Sequence, residues 1–166
     1  MTCEIARRQT TYWDLRDDRG ITRIHFVGKL EVGFTDPQAL SWSIEQDHPV
    51  LLDYQFPWDG IYPASPASDV GQVFDDLTHA IEAKLDGWRR AKHYMNPSRA
   101  RRVLREGCGL LVTGPPLVVE ACREVLTSNG IRSSCVPSKD RRWPAQALIV
   151  GQNFVVAKSF RVEELG

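Results

Sequence analysis

The chain has 166 residues, 42% of them hydrophobic and 25% charged, with 21 Lys+Arg balancing 21 Asp+Glu. That size and composition describe one globular domain over residues 1–166 with a single core. They exclude a disordered chain, a solenoid array and, for want of the roughly 20 consecutive apolar residues needed to cross a bilayer, a helical membrane protein. The balance hides an uneven distribution: residues 1–85 hold 7 Lys+Arg against 14 Asp+Glu, while residues 86–105 hold 7 against 1.

Met1 to Arg8 carries no apolar run of signal-peptide length, so the expected compartment is the cytoplasm. Thr10 to Gly20 reads as a strand running into a turn at Asp18-Arg19-Gly20. Ile21 to Val27 alternates as a strand does, with His25 on its more polar face. Gly28-Lys29 then has the composition of a two-residue hairpin loop, with Leu30 to Phe34 returning. Asp36-Pro37 to Glu45 suits a helical turn or two, capped by the aspartate. Val50 to Phe56 reads as a strand between prolines.

Pro57 to Ser68 holds three prolines together with Trp58, Asp59, Gly60 and Tyr62, a composition expected of a stiff loop able to contact a partner. From Asp69 to Met95 apolar residues recur at helical spacing, predicting one long helix capped by Ser68, or by Ser65 before Pro66. Asn96 and Pro97 start a second helix that Gly107 ends; only Ala100, Val103 and Leu104 of it are apolar enough to face inward. Arg99, Arg101, Arg102 and Arg105 lie on this helix, and Arg89, Arg90, Lys92 and His93 precede it, forming a basic patch across the junction.

Leu110 to Thr113, Pro115 to Asn129 and Ile131 to Val136 form a β-α-β unit, with Leu117, Val118, Ala121, Cys122, Val125 and Leu126 as the helix stripe. After a charged loop at Lys139 to Trp143, Ala145–Val150 and Asn153–Val162 read as two strands joined at Gly151-Gln152, with Glu163-Glu164 as a solvated tail. The expected class is α+β: a mixed, mostly antiparallel sheet, one long helix and a C-terminal β-α-β-β-β unit.

Little chemistry is legible. Pro115 and Pro116 delete two backbone donors where Gly114 would otherwise open a phosphate loop, and neither G-x-x-x-x-G-K-[ST] nor G-x-G-x-x-G occurs. No G-x-S-x-G turn is present, and His25, His48, His79 and His93 make no H-E-x-x-H pattern, so no metal or other cofactor is expected. Glu82-Ala83-Lys84 resembles a nuclease spacing but falls within a helix. Cys108, Cys122 and Cys135 read as buried thiols, with Cys108 the candidate if any were a nucleophile.

The expectation is a binding protein with no catalytic site. Its partner would be another protein, in the manner of an immunity protein or antitoxin masking a basic toxin surface, with Asp53, Trp58, Asp59 and Tyr62 as the contact residues. Two alternatives stand beside it. One is an enzyme assembled in the fold around Cys108 or the Asp53/Asp59 pair, and the other is a nucleic-acid module using the Arg89 to Arg105 patch.

Overall fold

The computed structural model describes residues 3–35, 38–39, 41–137 and 143–165. In chain order these form β1 (Cys3–Arg8), β2 (Tyr12–Asp17), β3 (Gly20–Gly33), β4 (Gln38–Ala39) and β5 (Trp42–Glu45), then a 3₁₀ turn (Pro49–Leu51) and α1 (Leu52–Gln55). There follow β6 (Asp59–Pro63), α2 (Val70–Lys84), a second 3₁₀ turn (Ala91–His93), α3 (Pro97–Glu106), β7 (Val112–Gly114) and α4 (Pro116–Ser128). The last strands are β8 (Ser133–Val136), β9 (Gln146–Val150) and β10 (Asn153–Glu164). Every strand pairing among the described residues is antiparallel, and the class is α+β. Contacts gather the chain into two compact units, Met1–Leu51 with Trp143–Gly166, and Leu52–Arg142.

The first unit is a seven-stranded sheet in the order β4-β1-β2-β3-β10-β9-β5. Strand alternation sends Trp13, Leu15, Ile24 and Phe26 to one face, where they pack with Leu148, Val150, Val155 and Ala157. The turn at Asp18-Arg19 forms as expected, with the Arg19 amide donating to Asp17 Oδ1 at 2.9 Å. Gly151 takes φ of 60° while Gln152 stays out of the left-handed region, the pattern of the expected type II′ hairpin.

Three expectations fail here. Gly28-Lys29 is no hairpin: β3 continues unbroken past Gly28, which takes a left-handed φ of 62°, and just beyond it the ladder to β10 slips by one residue, a bulge between Lys29 and Glu31. The helical turns expected before Glu45 are instead the short strands β4 and β5. Trp42 and Ile44 stand opposite Val150 and Leu148, so pairing to an apolar strand overrides local propensity. Asp36 and Pro37 lie outside the described residues, as do Lys139 to Arg142. Glu163 and Glu164 are strand rather than tail, and Glu163 Oε2 meets the half-buried His25 Nε2 at 3.2 Å.

Asp14 and Arg23 face each other across β2 and β3, joined by two hydrogen bonds from Arg23 Nε and Nη2 at 2.7 and 3.0 Å. The guanidinium also lies 4.2 Å from the centre of the Tyr12 ring. The hydrogen bonding from Arg23 holds the Asp14 carboxyl below its ordinary pKa.

The second unit has a three-stranded sheet, β7-β6-β8, with α2, α3 and α4 supplying the other half of its core. The Pro57 to Ser68 stretch, expected to be all loop, contains the central strand of this sheet. Pro57 precedes it and Pro63 is its last residue, so the intervening residues keep their amides, and Ile61, fully buried, pairs with Val112 on one side and Cys135 on the other. Val50 to Phe56 is not a strand, because the His48 carbonyl and ring nitrogen accept from Leu51 N at 2.8 Å and Val50 N at 3.3 Å and start a helical turn.

The long helix stops at Lys84. Asp86 and Gly87 adopt φ of 49° and 74°, which no helix accommodates, and Ala91 and Met95 reach the core from the following 3₁₀ turn and its exit. Asp69, rather than either serine, is the N-cap, accepting from Gln72 N at 2.9 Å. The second helix follows its sequence signals: Asn96 Oδ1 accepts from Arg99 N at 3.0 Å, Pro97 starts α3, and Gly107 ends it with φ of 69°. In α4 the buried stripe includes Val119, while Leu117 is 39% exposed. β7 and β8 both run antiparallel to β6 and hence parallel to each other, with β6 between them; β9 and β10 belong to the other sheet. All four cysteines are free. Cys122 is buried, its thiol pushed up to about 12, whereas Cys108 and Cys135 are exposed, contrary to expectation.

A depressed carboxyl pKa stabilises the fold above the unfolded-state value, and that contribution is lost as pH falls through the folded value. Asp14→Asn is therefore expected to lower the melting temperature at neutral pH and to shrink the difference between neutral and acidic melting temperatures, measured by circular dichroism. Asn96→Ala should cost about 1 kcal/mol in urea denaturation through loss of the α3 cap, and Asn96→Asp should restore it.

Candidate functional site

The candidate contact, catalytic and basic-patch residues read from the sequence all fall in the second unit, where Asp53 gathers the densest cluster. Asp53 sits in the first turn of α1 with its side chain 6% exposed. Tyr94 Oη donates to its Oδ1 at 2.8 Å, and Oδ2 is 3.0 Å from His93 Nε2 and 3.3 Å from Arg89 Nε. The Trp58 indole N–H donates to the Asp53 backbone carbonyl at 3.3 Å, and its ring stands 5.8 Å from His93 and 5.6 Å from Tyr94, centre to centre. The turn at Asp86-Gly87 makes this possible, because it breaks the helix and redirects Arg89, His93 and Tyr94 toward α1.

This geometry fits an anchor. A carboxylate taken from water needs hydrogen-bonding partners and a compensating charge; His93 and Tyr94 supply the first and the Arg89 guanidinium the second. With Nε2 turned to Asp53, the His93 imidazole, whose side chain is 41% exposed, has only Nδ1 left to offer solvent.

Asp53 and Trp58 thus come together, but the other two expected contact residues do not join them. Asp59 opens β6 opposite Gly114, and Tyr62 lies further along it opposite Ser134. Their odd spacing puts them on opposite faces of the strand. Asp59 acts instead on Cys135, an exposed thiol whose pKa is raised by partial desolvation first and then by that carboxylate. Cys108 is exposed, beyond the end of α3. Among the described residues no three His, Cys, Asp or Glu side chains are grouped to hold a metal ion, and no helix is long and apolar enough to cross a membrane.

The basic patch divides into four kinds of arginine. Arg89 is buried against Asp53. Arg90 is exposed and reaches Glu82 Oε2 at 3.3 Å. Arg101 lies over the Phe74 ring of α2, 3.8 Å from its centre, which fixes α3 against α2. Arg99, Arg102 and Arg105 are exposed, and among the described residues none has a carboxylate within salt-bridge distance. Their i, i+3, i+6 spacing sets them along one side of α3.

What the sequence missed is the link from His93 and Tyr94 to Asp53. The residues stand 40 positions apart, and no local pattern connects them. Compared with protein-family models, curated proteins and solved structures, the chain gives no match.

Removing one partner of a buried ion pair leaves the other charge uncompensated, so Asp53→Ala should destabilise the chain by about 3 kcal/mol in equilibrium denaturation. Tyr94→Phe, which removes one hydrogen bond and keeps the ring, should cost about 1 kcal/mol by the same measurement.

Proposed function

We propose that the chain is a non-enzymatic binding protein that holds a nucleic acid on the arginine side of α3. The observation that carries this reading is the trio Arg99, Arg102 and Arg105, aligned on a capped ten-residue helix and unpaired with any described carboxylate. Phosphate binding needs cations of that kind at fixed separation, since each one set against a phosphate releases a condensed counterion. Arg101, stacked on Phe74, steadies the helix beneath them. The planar guanidinium suits phosphate better than an ammonium would.

Two features weigh against the reading in which acidic residues mask a basic protein partner. Asp53, which would have led that contact, is 6% exposed and already held by Arg89. Asp59 and Tyr62 belong to opposite faces of β6 and cannot make one patch. Catalysis through Asp53 has the same difficulty, since its carboxylate accepts from or pairs with Tyr94, His93 and Arg89.

Fluorescence anisotropy with single-stranded and duplex oligonucleotides over a range of salt concentrations tests the proposal. Affinity is expected to fall with salt with a log–log slope of about −2 to −3, the value for three phosphate contacts. The combined variant Arg99→Ala, Arg102→Ala, Arg105→Ala should abolish that dependence. Binding that is insensitive to salt, or unchanged in the triple variant, overturns the proposal.

A further inference from the structure

The first unit contains a second cationic feature, unrelated to α3. The β1–β2 turn at Gln9–Thr11 packs beside β3, with Gln9 N donating to Tyr12 O and Phe26 N to Thr11 O, each at 2.8 Å. β2 pairs with β3 only as far as Tyr12 opposite His25, while β3 runs on to Gly33 with β10 along one edge. The bulge between Lys29 and Glu31 lies in this extension. Between the turn and the bulge is a depression of about 300 Å³, lined by Arg8, Gln9, Thr10, Trp13, Lys29 and Val32.

Its chemistry is one-sided. Two cations and two neutral polar side chains line it, with Trp13 and Val32 as the apolar part, and no carboxylate is among them. Among the described residues, neither Arg8 nor Lys29 has a carboxylate within salt-bridge distance. Two acids adjoin lining residues in sequence: Asp14, next to Trp13 on β2, is held by Arg23, and Glu31 stands opposite Val156 whereas Val32 of the depression stands opposite Val155; successive strand residues alternate, so both belong to the other face. The Arg8 guanidinium lies over the Phe34 ring, 3.9 Å from its centre, and Phe34 in turn meets Trp13 edge-on. Stacking of this kind holds the guanidinium plane while leaving its N–H edge for an acceptor, so less freedom is lost when an anion binds.

We propose that this depression binds a small organic anion, with its phosphate or carboxylate group between Arg8 and Lys29 and its apolar body toward Val32. The volume lies at the lower end of the range for small-molecule sites and suits a ligand of one ring or a short chain. The bulge has a purpose in this reading, because it presents Lys29 and Val32 to the same hollow.

The test is a titration of the full chain with phenyl phosphate and with benzoate, followed by the amide ¹H–¹⁵N signals of Gln9, Thr10 and Lys29. Saturable shifts in the millimolar range are expected, with affinity falling as salt is added. Arg8→Gln with Lys29→Gln should weaken binding by at least about tenfold, the loss expected of charge-assisted contacts, and Lys29→Arg should retain it. The triple α3 variant should respond as the wild type does, which separates this site from the proposed nucleic-acid surface. Absent shifts with both probes, shifts insensitive to salt, or shifts that persist in the Arg8/Lys29 double variant overturn the proposal. Should the double variant fail to fold, the salt dependence of the wild-type shifts decides.

Discussion

Asp53 is the constraint from which much of the second unit follows. A carboxylate with so little contact with water must find its partners within the chain, and His93 and Tyr94 lie 40 and 41 positions away, on the segment that leaves α2. The helix therefore has to end where it does: a continuous helix through Met95 would carry Arg89, His93 and Tyr94 along α2 and away from α1. Asp86 and Gly87, both in left-handed conformations, supply the break. Once the turn is made, Asn96 and Pro97 restart the chain as α3, and the position of the arginine side of α3 is fixed by the same junction.

What could be read from the sequence was whatever its own neighbours decide. α3 carries its start and stop in its own flanking residues, Asn96, Pro97 and Gly107, and the β9–β10 hairpin carries its turn in Gly151-Gln152. α4 is legible in its apolar periodicity, except that Val119 and not Leu117 is buried in its first turn. Segments governed by distant partners were misread. β6 looks like a loop until Val112 and Cys135 are set on either side of it; β5 looks like a turn of helix until β9 is beside it; and Gly28 looks like a hairpin until β10 is paired across it. Composition describes what a backbone can do alone, and pairing in a sheet decides what it does.

The same division applies to the charges. The run of cations from Arg89 to Arg105 is plain, but its six arginines have different physical fates: one is buried against a carboxylate, one is paired at the surface, one is stacked on an aromatic ring, and three are left facing solvent. A count of charges could not have sorted them, since the sorting depends on Asp53, Glu82 and Phe74, which come from earlier elements. Nothing in the sequence links Arg8 to Lys29, because they are brought together by the end of β1 and a bulge in β3.

The placement of β10 has a consequence for how the chain is made. It is an interior strand of its sheet, between β3 and β9, and the buried Asn153 at its start accepts from Thr35 N across a separation of 118 positions. During synthesis from the ribosome, β3 must therefore wait with one long edge open while the whole second unit emerges and has time to fold. An exposed edge of that length invites pairing with other nascent chains. The kink that the bulge puts into β3 and the charge of Lys29 beside it are the features natural strands use to discourage such pairing until the proper partner arrives.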